Sequence, residues 1–422
     1  MKKIFVLIDG LGDRKIKALE NKTPLEFAKT PNLDFFSGNG ANGKVIPLKK
    51  GLAPESDVAI MALLGFNVFK EYAGRGPLEA LGAGIEIKKG WLALRGNFAT
   101  VKGNKLIDRR VARTLSTREA KLLEKEINNK VKLKEPFVFR HSIEHRNVLV
   151  VKGKNLSNKI TNTDPYYERV LGFGVAVKKP KDRLVDCRAM NSGRQAKYSA
   201  ELVNDFSKQA GKILEKSKVN KERKRKNLLE ANYVLLRDAG TTLPRKSKPS
   251  GWASIVGMPL EIGISKAKNM KVLSFEYPEK KPSETVYENL FRKTMAEIIN
   301  AKKLLEKNWK KFNSFYIHFK EVDVMGHDGN ALEKAKMIEL IDKEFFSWFR
   351  KKIDLKQDRL LVTADHSTPC MLKRHSSDSV PLLIAGKGIQ KDHENQFSEF
   401  NSGRLGTLQG MKVIKLFDKK VV

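Results

Sequence analysis

The stretch KKIFVLIDG at 2–10 predicts a buried strand that ends in an acidic turn. NSFYIHFKEVD at 313–323 and DRLLVTADH at 358–366 have the same form, an apolar run followed by an aspartate. In open parallel sheets, ligands bind beyond the carboxyl ends of the strands. The three strands therefore predict one shared site, formed by the aspartates that follow their apolar runs: Asp9, Asp323 and Asp365.

Short β-branched runs alternate with longer amphipathic stretches along the chain, which predicts an α/β fold with a mostly parallel sheet flanked by helices. NYVLLRDAG at 232–240 and VPLLIAG at 380–386 are predicted as two more strands. MKVIKLF at 411–417 is predicted as a last strand or helix. Apolar spacing of the helical period predicts helices over 56–64, 195–228, 286–311 and 333–352.

The segment from 74 to 179 has shorter, more strongly alternating strands, with turns such as KGN and KGK between them. We interpret it as a smaller α+β domain that is inserted into the larger one. The larger domain is then discontinuous and comprises 1–73 and 180–422.

The chain is strongly basic, with 82 Lys and Arg against 48 Asp and Glu and a formal net charge of +34. The excess is spread along the chain, and its densest cluster, KSKVNKERKRK at 216–226, has no interleaved aromatic residues. We therefore expect a basic surface and no specific nucleic-acid partner. Cys187 and Cys370 form no disulfide framework, and neither a signal peptide nor a membrane span is expected, which favours a soluble cytoplasmic protein.

Carboxylate and imidazole side chains are the ligands of Mn²⁺ and Zn²⁺. A two-metal phosphoryl-transfer site needs several of them, together with a hydroxyl nucleophile. Three of the seven histidines lie beside the strand-end aspartates or downstream of them: His327, His366 and His375. The alternative is that each aspartate caps a helix and that His375 lies in a surface loop.

Ser56 supplies a hydroxyl in GLAPESDVAIMALLG at 51–65, just before an apolar helical run. A helix N-terminus receives a phosphoryl group well, because its N–H groups and its dipole favour negative charge. The alternative is that Ser56 or Asp57 is only the N-cap of that helix.

Motifs in this order along the chain closely resemble the archaeal-type cofactor-independent phosphoglycerate mutases of the alkaline phosphatase superfamily. The likeness runs from the first strand to about Gly388. The motifs are IDGLGDR, TPLEFAKTPNLD, APESDVAIMALLGF, GRGPLEALGAGIE, NFATV, DRRVAR, EHRNVLVV, TDP, HFKEVDVMGHDGN and TADHSTP.

The resemblance implies interconversion of 3-phosphoglycerate and 2-phosphoglycerate in glycolysis and gluconeogenesis, independent of 2,3-bisphosphoglycerate. It implies two divalent metal ions, manganese being the expected ion and zinc, cobalt and magnesium the alternatives. Ser56 would carry the phosphoryl group, and closure of the two domains would exclude water. One ion would be held by Asp323, His327 and His375, the other by Asp9, Ser56, Asp365 and His366.

The resemblance also gives the inserted domain a role in holding phosphoglycerate, since guanidinium groups bind carboxylate and phosphate with paired hydrogen bonds. The expected substrate-binding residues are Arg95, Arg109, Arg110, Arg113 and Arg146, with Lys320 near the metal ligands. His145 and Asp164 would move the hydroxyl protons of glycerate or orient it; the competing view gives them structural hydrogen bonds.

The chain departs from the family pattern at RDAG, 237–240, where Arg-Gly-Ala-Gly is expected, and at VAR, 111–113, which replaces Ala-Gly-Arg. The rival enzyme is a metal-dependent phosphatase or a phosphopentomutase-like relative with the same metal core. A remote rival is a basic nucleic-acid-binding protein on an inactive phosphatase fold. The sequence predicts no oligomeric state.

Overall fold

The computed structural model describes residues 1–244, 251–281 and 283–419. These residues form two compact units. The first unit comprises residues 1–70, 251–257, 268–281 and 283–419, and the second comprises 71–244 and 258–267. No helix in the described part of the chain is both long enough and apolar enough to cross a membrane.

The strands are β1 (Lys3–Ile8), β2 (Gly40–Ile46), β3 (Leu92–Lys102), β4 (Lys105–Asp108), β5 (Phe137–Ile143), β6 (Arg146–Val151), β7 (Tyr167–Val170), β8 (Phe173–Ala176), β9 (Tyr233–Gly240), β10 (Trp252–Val256), β11 (Lys271–Ser274), β12 (Ser314–Phe319), β13 (Arg359–Thr363), β14 (Val380–Gly386) and β15 (Gly406–Gln409).

The α-helices are α1 (Pro24–Phe27), α2 (Pro31–Gly38), α3 (Ser56–Leu63), α4 (Val68–Glu71), α5 (Arg75–Gly82), α6 (Thr117–Lys130), α7 (Arg194–Glu215), α8 (Lys218–Arg225), α9 (Pro259–Ala267), α10 (Val286–Asn308), α11 (Val322–Asp328), α12 (Ala331–Ile341), α13 (Ser347–Lys352) and α14 (Gly410–Asp418). Short 3-10 turns lie at Lys17–Leu19 and Val111–Arg113, and a π-helical turn at Asp342–Phe346 joins α12 to α13.

The first unit is built on an eight-stranded sheet with the order β11-β10-β12-β1-β13-β14-β2-β15. The five strands from β11 to β13 run parallel, and β14 is antiparallel to both of its neighbours. The predicted fold class, α/β with a mostly parallel sheet, is therefore confirmed. The register pairs Ile8 with Phe319, so β1 and β12 end at the same level, and β13 ends beside them.

The central strand β1 is buried along its apolar run, with Ile4 to Ile8 inaccessible to solvent. A strand covered on both faces reads as a continuous apolar run, which is why KKIFVLIDG predicted it. Helix α10 begins at a capping box in which Thr285 and Glu288 exchange hydrogen bonds. The C-terminal MKVIKLF forms helix α14 rather than a strand.

The second unit contains an antiparallel sheet with the order β4-β3-β6-β5, and β9 also pairs antiparallel with β3. The apolar faces of α6 and α7 pack on one face of this sheet in a core that includes Phe98, Phe139 and Phe206. On the other face, Ala80 of α5 joins Ala93 and Val148 in a smaller cluster.

Two predictions about the segment after 179 need correction. The strand at 232–240 does not extend the parallel sheet, because β9 pairs antiparallel with β3. The single helix predicted over 195–228 is two helices, since Ser217 accepts a hydrogen bond from Val219 N and starts α8. Both α7 and α8, as well as β9, lie in the second unit.

Candidate functional site

The predicted aspartates lie at the carboxyl ends of three neighbouring strands of the first unit. Asp9 directly follows β1, Asp365 follows β13, and Asp323 lies in the first turn of α11 after β12. Gly10 allows their close approach, because its φ is +62° and a Cβ there would lie 2.6 Å from Asp323 Oδ1.

One group of side chains with ligand atoms within 4.8 Å of one another comprises Asp323, His327 and His375. Nε2 of His327 lies 3.4 Å from Asp323 Oδ2, and Nε2 of His375 lies 3.6 Å from Asp323 Oδ1. Backbone carbonyls orient both rings: Lys373 O is 3.1 Å from Nδ1 of His327, and Pro54 O is 2.9 Å from Nδ1 of His375.

A carbonyl oxygen only accepts hydrogen bonds, so Nδ1 of each of these two histidines carries the proton. In the neutral ring the lone pair is then on Nε2, the nitrogen that faces the Asp323 carboxylate. Two lone pairs facing a carboxylate are the arrangement that a borderline divalent cation requires, with the second ring nitrogen held by an outer partner. The residues present therefore fit a metal ion.

The second group surrounds His366, which is completely buried. Its Nε2 lies 3.2 Å from Asp365 Oδ2, 3.4 Å from Asp9 Oδ1 and 3.2 Å from Ser56 Oγ. Among the described residues, Asp9 Oδ1 and Asp365 Oδ2 are buried without a hydrogen-bond partner. Buried carboxylate oxygens without donors are costly unless a cation neutralises them, so this group also fits a metal ion. Asp323 reaches both groups, since it also forms a cluster with Asp9 and His366.

Burial shapes the protonation of the second group. It lowers the pKa of His366 to about 3, with His375 acting in the same direction, so the ring is neutral at pH 7. Burial and the nearby charge of Asp9 raise the pKa of Asp365 to about 7. Burial opposes the ionisation of Asp9, but the ammonium group of Lys320 holds the pKa of Asp9 below its ordinary value.

Lys320 contacts the site through Asp9, since its Nζ pairs with Asp9 Oδ2. His318 Nε2 lies 3.3 Å from the same oxygen, and Tyr316 Oη lies 3.0 Å from His318 Nδ1. We did not predict His318 from the sequence. Its position in β12, two residues before Lys320, was the available signal, because alternate residues of a strand share a face.

Ser56 is the first residue of α3 and is buried, and Glu55 precedes it as the N-cap residue. No side-chain capping hydrogen bond is present at this helix start. The alternative that Ser56 or Asp57 is the N-cap is therefore wrong. The Ser56 hydroxyl faces His366 instead.

The second unit contains the predicted arginines. Arg109 donates two hydrogen bonds to Asp164, Nε to Oδ1 at 3.2 Å and Nη2 to Oδ2 at 2.7 Å. Burial opposes the ionisation of Asp164, but Arg109 lowers its pKa overall. Arg95 Nε lies 3.6 Å from Oε1 of Glu79, which also accepts a hydrogen bond from Arg75 at 2.9 Å.

We did not predict Arg75 or Glu79, although both lie in the quoted motif GRGPLEALGAGIE. Their spacing of four residues puts them on one face of α5, which was the missed signal. Arg146 donates to Glu144 at 3.2 Å, and Arg113 is half-buried in the 3-10 turn at Val111–Arg113.

His145 is buried, and no described residue forms a hydrogen bond with its Nδ1. Burial, followed by the charges of Arg146 and Arg110, lowers the pKa of His145 well below its ordinary value. Burial and Arg113 likewise lower the pKa of Arg110 to about 10. His145 is therefore a neutral imidazole at pH 7 in strongly cationic surroundings.

A mostly parallel sheet with carboxylates, imidazoles and a serine near its strand ends is an α/β fold whose side chains at that edge fit divalent metal ions. Residues 38–220 match the family model described as 2,3-bisphosphoglycerate-independent phosphoglycerate mutase. A protein of that name from Pyrococcus abyssi is 36% identical over 423 residues, covering 98% of this chain and 96% of the relative. The chain belongs to the 2,3-bisphosphoglycerate-independent phosphoglycerate mutase family.

Solved structures agree with this membership. The PH0037 protein from Pyrococcus horikoshii is similar with a TM-score of 0.77 at 29% identity, covering 99% of this chain and 96% of that one. A cofactor-independent phosphoglycerate mutase from Thermoplasma acidophilum is similar with a TM-score of 0.57 at 27% identity, covering 99% and 98%. The predicted resemblance is confirmed.

Proposed function

We propose that the chain interconverts 3-phosphoglycerate and 2-phosphoglycerate through a phosphoserine at Ser56, without 2,3-bisphosphoglycerate. The observation that carries this proposal is the position of the Ser56 hydroxyl, 3.2 Å from His366 Nε2. The carboxylates of Asp9 and Asp365 lie 3.4 and 3.2 Å from the same nitrogen. Family membership supplies the substrate, since the relatives are named as phosphoglycerate mutases.

Two divalent cations fit the candidate groups, one with Asp323, His327 and His375 and the other with Asp9, Ser56, Asp365 and His366. When bound, they would lower the pKa of the serine hydroxyl and offset the charge of the phosphoryl group. Mn²⁺ is the proposed ion because carboxylate and imidazole ligands suit it, and Zn²⁺, Co²⁺ and Mg²⁺ are the alternatives that the assay below separates.

In the first transfer, the Ser56 hydroxyl loses its proton and its oxygen attacks phosphorus. The bond from phosphorus to the 3-oxygen of the substrate breaks, and that oxygen takes up a proton. In the second transfer the 2-hydroxyl of glycerate loses a proton and attacks the phosphoserine, whose P–Oγ bond breaks, and the Ser56 oxygen takes up a proton. No net proton or water is consumed, and Ser56 returns to its starting form. The N–H groups at the start of α3 favour the negative charge on the phosphoserine.

The second unit would hold the rest of the substrate through the cationic surroundings of His145. Arg95, Arg110, Arg113 and Arg146 are assigned to the carboxylate and phosphate groups, and Lys320 to the phosphoryl group at Asp9. His145 is neutral at pH 7, so it can accept the proton of one glycerate hydroxyl and return it to the other. Asp164 fixes Arg109 through two hydrogen bonds, which suits orientation of the substrate.

A coupled assay tests the proposal. The protein is freed of metal with a chelator, and the conversion of 3-phosphoglycerate to 2-phosphoglycerate is followed without 2,3-bisphosphoglycerate, before and after each ion is added back. We expect no turnover in the metal-free protein and recovery with Mn²⁺. Metal-dependent release of free phosphate without isomerisation would instead identify a phosphatase. Full activity in the metal-free protein would contradict the metal centre.

A further inference from the structure

A single hydroxyl, that of Thr368, lies between the two candidate cation groups. Its Oγ1 donates a hydrogen bond to Asp323 Oδ1 at 2.7 Å. The same oxygen lies 3.0 Å from Nδ1 of His366. Asp323 belongs to the first group and His366 to the second, so Thr368 contacts one member of each.

The direction of both hydrogen bonds follows from the chemistry of the three groups. A carboxylate oxygen only accepts hydrogen bonds, so the hydroxyl of Thr368 is the donor to Asp323 Oδ1. Thr368 has one proton and gives it to that carboxylate. Its oxygen can then only accept from His366, which places the imidazole proton on Nδ1 and the lone pair on Nε2.

The backbone of Thr368 is anchored on both sides. Its N–H donates to Gly12 O at 3.0 Å, and its carbonyl accepts from Lys334 Nζ at 3.0 Å. Lys334 is fully buried and also donates to Asp13 Oδ2 at 2.8 Å. The Thr368 side chain is itself inaccessible to solvent, so its hydroxyl has a fixed place.

We propose that Thr368 is a positioning residue that sets the tautomer of His366 and ties its ring to Asp323. It keeps the Nε2 lone pair directed at Ser56, Asp9 and Asp365 before a cation arrives. Without the hydroxyl, the ring protonates on either nitrogen and turns more freely, and cation binding must then move a proton and fix the ring. This inference rests on the proposed metal centre.

The test compares Thr368→Val, which has nearly the shape of threonine without the hydroxyl, with Thr368→Ser, which keeps the hydroxyl. Titration of each metal-free protein with Mn²⁺ in a calorimeter gives the affinity and stoichiometry. We expect the valine variant to lose about 10- to 100-fold in affinity at one of two sites, as outer-shell removals do. The serine variant retains the wild-type isotherm.

A spectroscopic measurement separates positioning from general damage. Long-range ¹H–¹⁵N spectra of the metal-free proteins report which ring nitrogen of His366 carries the proton. We expect the Nδ1–H form in wild type and in Thr368→Ser, and a mixture in Thr368→Val. Ser367→Ala is the matched control, because Ser367 is a buried neighbour whose Oγ has no hydrogen-bond partner among the described residues.

The outcomes are distinct. Wild-type Mn²⁺ affinity and an Nδ1–H ring in Thr368→Val would overturn the role of Thr368 and leave the metal centre intact. An equal loss in Thr368→Ser and Thr368→Val would also overturn it, since packing of the methyl group would then be the cause. Absence of Mn²⁺ binding in the wild type would overturn the metal centre and this inference together. Thermal melts show whether Thr368→Val is folded. If it is not, the Mn²⁺ affinity and the protonated ring nitrogen of His366 in Thr368→Ser test the inference, and a loss of either would overturn it.

Discussion

The hydroxyl of Ser56 and Nε2 of His366 lie 3.2 Å apart, although 310 positions separate the two residues in the chain. Ser56 begins helix α3, and His366 lies just beyond the carboxyl end of β13. This contact brings the start of α3 to the carboxyl end of β13. A nucleophile with a neutral imidazole and two carboxylates beside it is the arrangement on which the proposed phosphoryl transfer depends.

Replacement of Asp323 by asparagine is expected to disable the first cation group. The change keeps the shape but removes the charge that faces His327 and His375 at 3.4 and 3.6 Å. Mn²⁺ affinity, measured by calorimetry, should fall by more than the about 10- to 100-fold typical of an outer-shell partner. Asp328→Asn, an exposed site in the same helix, is the matched control. Equal affinities of the two variants would contradict the assignment.

Replacement of His145 by glutamine is expected to lower kcat by about 10²- to 10⁴-fold, because the neutral imidazole is the proposed proton carrier. His141→Gln serves as its control, since His141 lies on the neighbouring β5 and its Nε2 is 2.9 Å from Glu144 O. Steady-state kinetics with both variants check the expectation. If kcat is retained in His145→Gln and only KM rises, His145 binds substrate and does not carry protons.

Glu399 is expected to make stability depend on pH. Burial raises its pKa to about 7 from an ordinary value of 4.5, so the folded state holds a proton that the unfolded state has lost between these pH values. The free energy of unfolding should therefore decrease as pH rises from 4.5 to 7, by at most about 3 kcal/mol from this group.

Glu399→Gln removes the titration and resembles the protonated acid. Glu399 accepts hydrogen bonds from Asp13 N at 3.1 Å and from Thr23 Oγ1 at 2.9 Å; in the variant the amide oxygen can accept from Asp13 N, and the NH2 group can donate to Thr23 Oγ1. Urea midpoints at pH 5 and pH 8 provide the measurement. The urea midpoint of Glu399→Gln should increase relative to that of the wild type between pH 5 and pH 8. The midpoint of Glu306→Gln, at an exposed helical site, should not. The same change in urea midpoint between pH 5 and pH 8 for Glu399→Gln and for the wild type would refute the raised pKa.

Two departures from the family pattern lie where the backbone is left-handed. Ala112 has φ +50° and Asp238 has φ +57°, and glycine is the residue that the family resemblance leads us to expect at both positions. Since left-handed backbone costs a residue with a Cβ roughly 1 kcal/mol, Ala112→Gly and Asp238→Gly should each raise the melting temperature. Ala112→Val should lower it because the branched side chain is stiffer. A lower melting temperature in both glycine variants would contradict the assigned backbone.

The positions of the strand-end aspartates were predictable from the sequence, because a parallel strand that is buried on both faces is an uninterrupted apolar run that stops at the edge of the sheet. Asp9, Asp323 and Asp365 all lie where their strands end. The same local signal could not say which sheet a strand joins. The strand at 232–240 pairs with β3 across more than a hundred intervening positions, and nothing within its own residues encodes that partner.

The contacts that orient the candidate site residues were not predictable for a similar reason. Nothing in the local sequence TADHSTP indicates the role of Thr368, whose hydroxyl lies 2.7 Å from Asp323 Oδ1 only in the folded chain. Glu79 lies in an apolar helix, and its pairing with Arg95 depends on the position of β3. Short-range patterns predict candidate metal ligands at strand ends. The side chains that orient those candidates lie elsewhere in the sequence and are brought to them only by the tertiary structure.

The measurement that tests the central claim most directly is detection of phosphate on Ser56 during turnover. The Mn²⁺-loaded enzyme is mixed with 3-phosphoglycerate and quenched in acid, and the peptide that contains Ser56 is examined by mass spectrometry beside the same peptide from Ser56→Ala. We expect phosphate on Ser56 in the wild type. We expect Ser56→Ala to have no mutase activity while it still binds Mn²⁺ at the group with His327 and His375. Turnover by Ser56→Ala comparable to that of the wild type would contradict the covalent mechanism.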